Sequence, residues 1–476
     1  MYISNMDRYD TFFKYALDDN IYMADKSNPI EMLDNAKLTG THVSWTLIAS
    51  LGDFLDAGMF AGTGITLSAI LAYLHVTSTL LAGFPALITL LGTAFGALIF
   101  GPLGDRYGRK FIYQADMIIY AVAAILLAFS FNFIWAMIFY ALIGIAVGAD
   151  VPTSWSLISE FAPKAGRGKL MTYTNIMWYV GVLVELAIAI AIYNTGITLF
   201  RTIWIMLGVI AIIAWVLRRR LTESPRFDVL KGRYKDLHNA TKVLGAAQEA
   251  DVSASAAPKY REYRYKELFT KYGGPLLFAW FLYLMWGIPA STYGEFFPYI
   301  FSSLHLVSTR VVFAFEAIYF GSAIVPGLLI YYFLTDKVGV GRYPLYLTSA
   351  AMSAVSFLLL VYKPFLYNVP VLLVSFLLFG IGQGLGVWPI TRLYSLEHFP
   401  TSLRNSGQGF VWFTMRFEGA IFGLFTPLIV KASVTYIGWI AGIFFLAAFI
   451  VVGIMGFAAP SYVRTEARSL EQTAEE

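Results

Sequence analysis

Apolar runs of roughly 20 residues or more recur along this 476-residue chain, and they restrict its fold more than any other feature of the sequence. A helix of about that length crosses the hydrocarbon core of a bilayer. Only 13% of the residues are charged, whereas a soluble domain carries roughly 25%. The sequence therefore predicts an all-α membrane protein. Twelve spanning helices are expected at residues 44–74, 80–101, 111–131, 134–161, 170–193, 200–218, 274–302, 309–334, 343–362, 369–396, 405–430 and 434–457.

Positive charge is distributed unevenly between the connections of these helices. Lys and Arg cluster in alternate connections and in the tail, whereas residues 75–79, 131–133 and 193–199 carry none. Because positive residues mark the cytoplasmic side of a membrane, the pattern predicts a multi-pass protein of the cell membrane with both termini in the cytoplasm. Residues 1–43 are polar and lack a positive region followed by an apolar core, so a cleavable signal peptide is not expected.

The second half of the chain repeats positions of the first half. Pro152, Glu160, Pro163 and Arg167 recur as Pro389, Glu397, Pro400 and Arg404, each at an offset of 237 residues. Parallel repeats of six helices are typical of transporters whose halves rock around a central site. We therefore expect two pseudo-symmetric six-helix halves at residues 44–218 and 273–458, with a charged loop at residues 219–272 between them and a tail at residues 459–476.

The charged loop has helical spacing in part, at Phe227, Leu230, Tyr234 and Leu237. This spacing predicts short cytoplasmic helices that lie on the bundle. A flexible linker is the alternative, and residues 253–257 have its composition.

A glycine-rich basic motif, GPLGDRYGRK at residues 101–110, joins the second and third helices. Glycine permits a tight turn there, and the acid can cap or pair with a helix end. The motif has an echo in DKVGVGR at residues 336–342, where the second half should repeat it. An ordinary basic turn is the alternative interpretation.

These motifs resemble the loop signature of the major facilitator superfamily. Two further elements, LIGIAVG at residues 142–148 and LTESPR at residues 221–226, resemble signatures of the sugar porters and their relatives. The resemblance implies a carrier with alternating access, in which residues at the cytoplasmic ends of the helices latch the halves in one state. The residues that it assigns to this latch are Gly101, Asp105, Arg106, Gly108, Arg109, Glu160, Arg167, Glu223, Arg226, Asp336, Arg342, Glu397 and Arg404.

Acidic residues inside the spanning helices are candidates for function, because each costs about 2.5–3.5 kcal/mol at the bilayer centre. Asp53 and Asp56 share one face of the first helix, and Asp150 lies in the motif GADVP of the fourth. This combination resembles the phosphate:proton and metabolite:proton symporters, in which such acids carry the proton or help to bind substrate. The resemblance implies proton coupling through these three acids, and Glu295 is the candidate in the seventh helix. Structural ion pairs with neighbouring helices are the alternative.

Arg416 and Glu418 lie in the eleventh helix. An arginine in a cavity can bind a carboxylate or phosphate bidentately, and the surrounding residues resemble the Arg-x-Gly-Ala motif of organic-acid and organic-ion transporters, with one extra residue. A salt bridge is the alternative. Glu185, Glu316 and Arg392 are also intramembrane, and the last two are expected to be structural. The aromatic residues assigned to the substrate site with Arg416 and Glu418 are Tyr179, Trp286, Tyr293, Trp388 and Trp412.

Signatures of enzymes are absent from the sequence. There is no Gly-x-x-x-x-Gly-Lys-Ser/Thr loop for ATP, and five histidines without any cysteine make a metal site unexpected. We expect no catalytic residues, no cofactor and no nucleic-acid partner, and a monomer in the lipid bilayer.

The sequence therefore predicts a secondary active transporter that couples proton flow to uptake of a small solute. Arg416 favours an anionic metabolite, either an organic acid or phosphate. A proton:sugar symporter is the alternative, although the seventh helix lacks the Gln-Gln and Asn pattern of sugar porters, and it lacks the Asp of phosphate symporters too. An alternative of another class is a non-transporting membrane sensor of solute built on the same fold.

Overall fold

In the computed structural model the described residues are 28–245, 261–294, 304 and 306–475, and they form helices with no strand. The long helices in this part of the chain are α1 Gly40–Tyr73, α2 Phe84–Tyr107, α3 Arg109–Ala128, α4 Phe133–Phe161, α5 Arg167–Ile192, α6 Ile197–Arg218, α7 Gly273–Gly294, α8 Arg310–Leu334, α9 Arg342–Leu359, α10 Val369–Glu397, α11 Arg404–Ala432 and α12 Thr435–Ala458. The twelve-helix fold predicted from the sequence is confirmed. Residues 295–302 of the expected seventh helix lie outside the described residues.

Eleven of these helices are long and apolar enough to cross a membrane, and α9 is the one that falls short. Its 18 residues include Arg342 and three serines, which lower its mean hydropathy. The serine hydroxyls bond inside the protein: Ser356 Oγ donates to the carbonyl of Ser375 on α10 at 2.7 Å, and Ser375 Oγ donates back at 2.8 Å. Polar side chains paired in this way between helices are tolerated in a bilayer, so α9 completes the second half.

Close helix contacts in both halves depend on glycine. An added Cβ at Gly144 of α4 would lie 2.2 Å from a carbonyl oxygen of α2, and one at Gly148 also 2.2 Å. In the second half, a Cβ at Gly380 of α10 would lie 2.4 Å from a carbonyl oxygen of α8, and one at Gly384 2.0 Å. Small residues let helix backbones approach in this way in membrane proteins. The same packing therefore holds α2 to α4 and α8 to α10.

Two interruptions position the residues of the central cavity. The first helix changes from Gly40–Ala49 to Leu51–Tyr73 at Ser50, just before its acidic residues. The helix α10 is broken at Gly386, which separates Val369–Leu385 from Val387–Glu397. Such breaks are tolerated at membrane depth where the backbone is buried in protein.

The connections α2–α3, α4–α5, α6–α7, α8–α9 and α10–α11 share one end of the bundle, which we call the basic end; the opposite end is the far end. At the basic end lie the short helices Pro29–Asn35, Pro225–Leu230, Tyr234–Val243, Glu267–Thr270, Pro460–Val463 and Leu470–Glu475. Ile30, Val229 and Leu237 form a small apolar cluster there. The helices expected in the charged loop are therefore present, whereas residues 253–257 lie outside the described residues.

The buried guanidinium of Arg226 ties the two ends of the chain to this loop. It forms ion pairs with Asp34 and Glu471. The positive charge of Arg226 lowers the pKa of Glu471 to about 2, although burial opposes the shift. The N-terminal segment and the C-terminal tail are thus both fixed against the basic end.

Asp228 gives the loop a pH-dependent stability. Burial and then the carboxylates of Glu223 and Asp236 raise the pKa of Asp228 from 3.8 to about 7. Because the pKa is higher in the folded state, the stabilisation is complete below pH about 4 and is lost as the pH rises through about 7.

We expect Asp228→Asn to remove this dependence of stability on pH and to stabilise the protein above pH 7 by at most a few kcal/mol. Melting temperatures between pH 5 and 8 measure the effect. The exposed Glu262→Gln variant should keep the parent profile, and an Asp228→Asn profile with the parent slope would contradict the assignment.

Candidate functional site

A small cavity of about 40 Å³ lies between the two halves. The helices α1 and α5 line it from the first half, and α7, α8, α10 and α11 line it from the second. The lining residues are Asp56, Phe60, Trp178, Tyr179, Trp286, Ala290, Tyr319, Phe320, Gln383, Trp388, Arg392, Trp412, Met415 and Arg416. A space shared by both halves is where a carrier of this architecture binds its solute.

Asp56 and Arg416 form an ion pair that joins the halves inside the cavity. Nη2 of Arg416 lies 2.8 Å from Oδ1 and 3.1 Å from Oδ2 of Asp56. Trp178 Nε1 donates to Oδ2 at 2.8 Å, so the carboxylate is held from two sides. The arginine also lies over the ring of Trp412, with its Cζ 4.5 Å from the ring centroid. Asp56, predicted to carry the proton, and Arg416, predicted to bind substrate, are therefore direct partners.

A second ion pair joins the halves through Asp53 and Arg392. Nη2 of Arg392 donates to Oδ1 of Asp53 at 2.5 Å, and Trp155 Nε1 donates to the same oxygen at 2.9 Å. Nη1 of Arg392 donates to the hydroxyl of Thr174 on α5 at 2.9 Å. Arg392 was expected to be structural, yet it lines the cavity, because the segment of α10 after Gly386 faces the first half. With both pairs formed, the charges of the site balance.

The cavity lining has unpaired hydrogen-bond donors. Gln383 Oε1 accepts from Trp286 Nε1 at 2.7 Å, which leaves the Nε2 group of Gln383 without a partner. Nε1 of Trp412 and the Nε atoms of Arg392 and Arg416 are also buried and unpaired. Among the described residues that line the cavity, the buried polar atoms without a partner are thus N–H donors, whereas Oδ2 of Asp53, in the second ion pair, is a buried acceptor without a partner. A buried donor costs free energy until an acceptor reaches it.

Stacked aromatic rings form one wall of the cavity. Trp286 and Trp388 stack with ring centroids 3.7 Å apart and planes 14° apart. Trp412 packs against Trp388 at 5.9 Å, and Tyr179 lies on the opposite side, 6.3 Å from Phe320. Nearly parallel rings in contact present flat apolar faces. The four aromatic residues named from the sequence whose side chains are described all line the cavity.

Three other predicted residues are placed differently. Glu418 is not in the lining; it accepts a hydrogen bond from Trp280 Nε1 at 3.2 Å. The side chain of Tyr293 is not among those described, and Glu295 lies outside the described residues. None of these three residues is part of the cavity lining described above.

Asp150 lies outside the cavity lining, in a cluster within the first half. Nη1 and Nη2 of Arg218 lie 2.5 and 3.2 Å from the two carboxylate oxygens of Asp150. Asp116 of α3 lies 3.7 Å from Nη1, and neither of its oxygens has a hydrogen-bond partner. Sequence reasoning named neither Asp116 nor Arg218 as a candidate. The pairing of Asp150 supports the structural alternative raised for it.

The basic end is closed by a network whose first centre is Glu160. Its Oε1 lies 2.8 Å from Nη1 of Arg404 on α11 and 2.9 Å from Nη2 of Arg109 on α3. Arg109 Nη2 also donates to the carbonyl of Thr401 at 2.8 Å. All three charged side chains are fully buried. One buried carboxylate therefore connects arginines from both halves.

The second centre, Glu397, repeats the first. Its Oε1 lies 2.8 Å from Nη1 of Arg167 on α5, and its Oε2 pairs with Arg342 on α9. The sequence repeat thus corresponds to two related ion triads. Glu160 binds Arg404, which follows Glu397 in the second half, and Glu397 binds Arg167, which follows Glu160 in the first half.

Asp105 and Asp336 form a third symmetric feature. The oxygens of Asp105 accept the backbone N–H groups of residues 405–406 at 3.3 and 2.7 Å. Those of Asp336 accept the N–H groups of residues 168–169 at 3.1 and 3.2 Å. Each acid therefore binds the N-terminus of a helix of the other half, where the helix dipole favours a negative charge.

The remaining residues assigned to the latch support this network, with one exception. Glu223 accepts the N–H groups of Arg109 at 3.0 Å and Lys110 at 3.1 Å. Gly108 has φ +105°, and a Cβ there would lie 2.3 Å from Glu223. Arg226 Nε donates to the carbonyl of Glu160 at 3.3 Å. Arg106 is exposed and lies over Tyr107, and among the described residues its side chain has no ion pair with the network.

Gly409 allows the halves to touch at the basic end. A Cβ there would lie 2.4 Å from the carbonyl oxygen of Ala97 and 2.9 Å from Cα of Gly101, both on α2. Because these atoms are backbone, we expect Gly409→Ala to separate α2 from α11 and to lower the rate of transport strongly. Gly453→Ala is the matched control, because a Cβ at Gly453 meets nothing within 4 Å. Uptake into reconstituted vesicles compares the two, and equal rates would show that the close contact is dispensable.

Comparisons with known proteins identify the family of this chain. Residues 15–476 match the family model described as "Sugar (and other) transporter". The chain is 30% identical over 437 residues to the minor myo-inositol transporter IolF of Bacillus subtilis, covering 90% of this chain and 93% of that one. It is 25% identical to the niacin transporter NiaP of Acinetobacter baylyi, covering 84% and 89%.

Among solved structures, the chain is similar to the proton:xylose symporter XylE, with a TM-score of 0.76, 18% identity and coverage of 92% of this chain and 99% of that one. At this identity the likeness shows the fold, which is that of the major facilitator superfamily. The chain therefore belongs to the sugar (and other) transporter family of that superfamily, and it is a multi-pass membrane transporter of small molecules, not an enzyme.

Proposed function

We propose that this transporter takes up a small metabolite with a carboxylate or another anionic group together with one proton. The set of unpaired N–H donors in the cavity carries the proposal. A carboxylate or phosphate has only acceptors when ionised, so it can satisfy these donors without burying an unpaired group of its own. A polyol would bring one hydrogen-bond donor with each of its hydroxyl groups, and these donors would need acceptors in the cavity.

Asp56 is the proton acceptor in this proposal. Its Oδ1 atom lies 2.8 Å from Nη2 of Arg416, so the carboxylate holds the guanidinium. Protonation of Asp56 would neutralise it and weaken this attraction, so the guanidinium would become available to the anionic group of the substrate. Loss of the proton would restore the pair and displace the anion. Proton and substrate would therefore enter and leave together.

The basic end faces the cytoplasm of the cell in this proposal, because its connections carry the positive residues. The network around Glu160 and Glu397 would then close the cavity towards the cytoplasm and open when the halves rock. We further propose a monomer in the plasma membrane, with Asp53 and Arg392 as a second link between the halves.

A neutral polyol or sugar is the second candidate. It is favoured by the relative named as a myo-inositol transporter, which is 30% identical over 90% of this chain. The internal balance of the two ion pairs also suits a neutral solute. The niacin transporters among the relatives favour the anion, because niacin is a carboxylic acid with a flat ring that suits the stacked wall.

A thermal-stability screen of the purified protein separates these candidates. The ligands are nicotinate, phosphate, small carboxylates, myo-inositol and xylose, each at acidic and neutral pH. A ligand at 100 times its dissociation constant stabilises by about 2.7 kcal/mol. We expect a carboxylate to raise the melting temperature more at acidic pH, since its binding requires a protonated Asp56. A shift with myo-inositol or xylose alone would make the polyol proposal correct. Binding without flux in vesicles would indicate a sensor.

A further inference from the structure

Glu185 is a buried carboxyl group that has no role in the cavity or in the network at the basic end. It lies on α5, is fully buried, and neither of its oxygens has a hydrogen-bond partner among the described residues. An added Cβ at Gly58 of α1 would lie 2.7 Å from its Oε1, and one at Gly62 3.4 Å from its Oε2. The two glycines therefore leave the space that this carboxyl group occupies.

Glu316 of the other half lies at the same depth. It is 2% exposed, and its Oε2 atom also has no partner in the part of the chain that the structure describes. Glu185 precedes the end of α5 by seven residues, and Glu316 follows the start of its helix at Thr309 by seven. At 1.5 Å per residue, each lies about 10 Å from the far end.

The helices α5 and α8 pack against each other and form a seam between the halves. Phe320, one turn below Glu316, contacts Trp178 and Tyr179 across this seam, with ring centroids 5.7 and 6.3 Å apart. These aromatic residues line the cavity, so the two carboxyl groups lie between the cavity and the far end. Glu316 is close enough to Glu185 for its charge to act on that carboxyl group.

No counter-ion faces the two carboxyl groups among the described residues. Neither group takes part in a salt bridge there. Among the described residues, Tyr120 of α3 is a further titratable group near Glu185, and its hydroxyl donates to the carbonyl of Leu55 at 3.0 Å. From α6, the apolar side chains of Ile203 and Leu207 pack beside the same two glycines. Two unpaired negative charges at this place in a membrane would be strongly unfavourable.

We propose that Glu185 and Glu316 form a second proton-binding site, separate from the central cavity, which controls closure of the α5–α8 seam at the far end. A proton from the aqueous phase neutralises the pair, and the seam closes, as it is in this structure. When the pair loses its protons, repulsion between the carboxylates opens the seam. In the described part of the chain no group of three or more potential metal ligands includes these two carboxyl groups, so the proton is the fitting occupant.

The absence of cysteine makes the test direct, because introduced cysteines are the only sites for spin labels. Asn194 of the first half and Tyr367 of the second are exposed at the far end. The cysteine variants Asn194→Cys and Tyr367→Cys are combined, labelled, placed in lipid nanodiscs without substrate, and measured by pulsed electron resonance between pH 5 and 8. We expect the population at long distance to rise several-fold with pH.

The double variant Glu185→Gln/Glu316→Gln should remain at short distance over the whole range, and Glu262→Gln should respond like the parent. A pH response that persists in the double variant, or a parent without any response, would refute the second proton site. Shortening driven by Na⁺ at constant pH would assign the site to a metal cation and refute it too. No substrate enters this test, so its result is independent of the proposed function and of Asp56.

The glutamine variants also give a measure of folding. Because the neutral amide resembles a protonated carboxyl group in shape, the double variant should melt at the parent temperature at pH 5 and above it at pH 8. A lower melting temperature at pH 5 would show that the carboxyl groups stabilise the fold through hydrogen bonds, which contradicts the proposal.

Discussion

Arg416→Ala is expected to abolish uptake of an anionic substrate. The substitution removes the cation that would bind the anion, and it leaves the buried carboxylate of Asp56 with only the indole N–H of Trp178. Breaking a buried ion pair on one side costs about 3–5 kcal/mol, a factor of roughly 100 to several thousand in an equilibrium constant. Uptake of labelled substrate into reconstituted vesicles measures the loss.

The double variant Asp56→Asn/Arg416→Gln separates binding from folding. It contains no unpaired charge, so its melting temperature should recover towards that of the parent, while uptake should stay absent. Asp56→Asn alone should lose accumulation driven by a proton gradient but keep exchange of solute across the membrane. Accumulation by Asp56→Asn, or normal uptake by Arg416→Ala, would show that this pair is not part of the coupling.

Glu160→Gln is expected to shift the protein towards a state that is open at the basic end. The glutamine cannot neutralise Arg404, which has no other carboxylate partner among its described contacts, and it weakens the hold on Arg109. Loss of a buried ion pair of this kind costs about 3–5 kcal/mol in the closed state. An equilibrium between two states of similar energy would therefore move almost completely to the open state.

Spin labels at Tyr107→Cys and Val338→Cys measure this opening, because both positions are exposed and lie at the basic end on different halves. The distance distribution should move to longer values in Glu160→Gln. Glu397→Gln, the symmetric change, should have the same effect, and Glu262→Gln at the same end should have none. A response to only one of the two glutamates would show that the two triads are not equivalent.

The residues at the basic end could be predicted from the sequence because the chain repeats there. Glu160 and Glu397 lie at equal offsets, and equal offsets in a parallel repeat imply related positions in space. The apolar runs similarly gave the number of spanning helices, since length and composition decide that question in a bilayer. The repeat and the apolar runs can both be read from a single sequence without knowledge of how the helices pack.

The partners inside the cavity could not be predicted in this way. Spacing places Asp53 and Asp56 on one face of a helix, but it does not give the rotation of that helix relative to α10 and α11. Arg392 was consequently assigned to the structural residues. Gln383 carries no charge, so the sequence does not distinguish it from the other uncharged polar residues of the spanning helices. Its role depends on Trp286, 97 residues away, which occupies its oxygen and leaves its N–H group free.

The two ion pairs between the halves determine how a membrane voltage acts on the transport cycle. A membrane voltage acts on charge that moves, with about 2.3 kcal/mol per elementary charge per 100 mV. The two ion pairs contain two acids and two bases, so their charges cancel, and adding one proton with one monovalent anion leaves the sum unchanged. Neither the loaded nor the empty carrier would then carry current. A cell using it could concentrate the solute only as far as its pH difference allows, whatever its electrical potential.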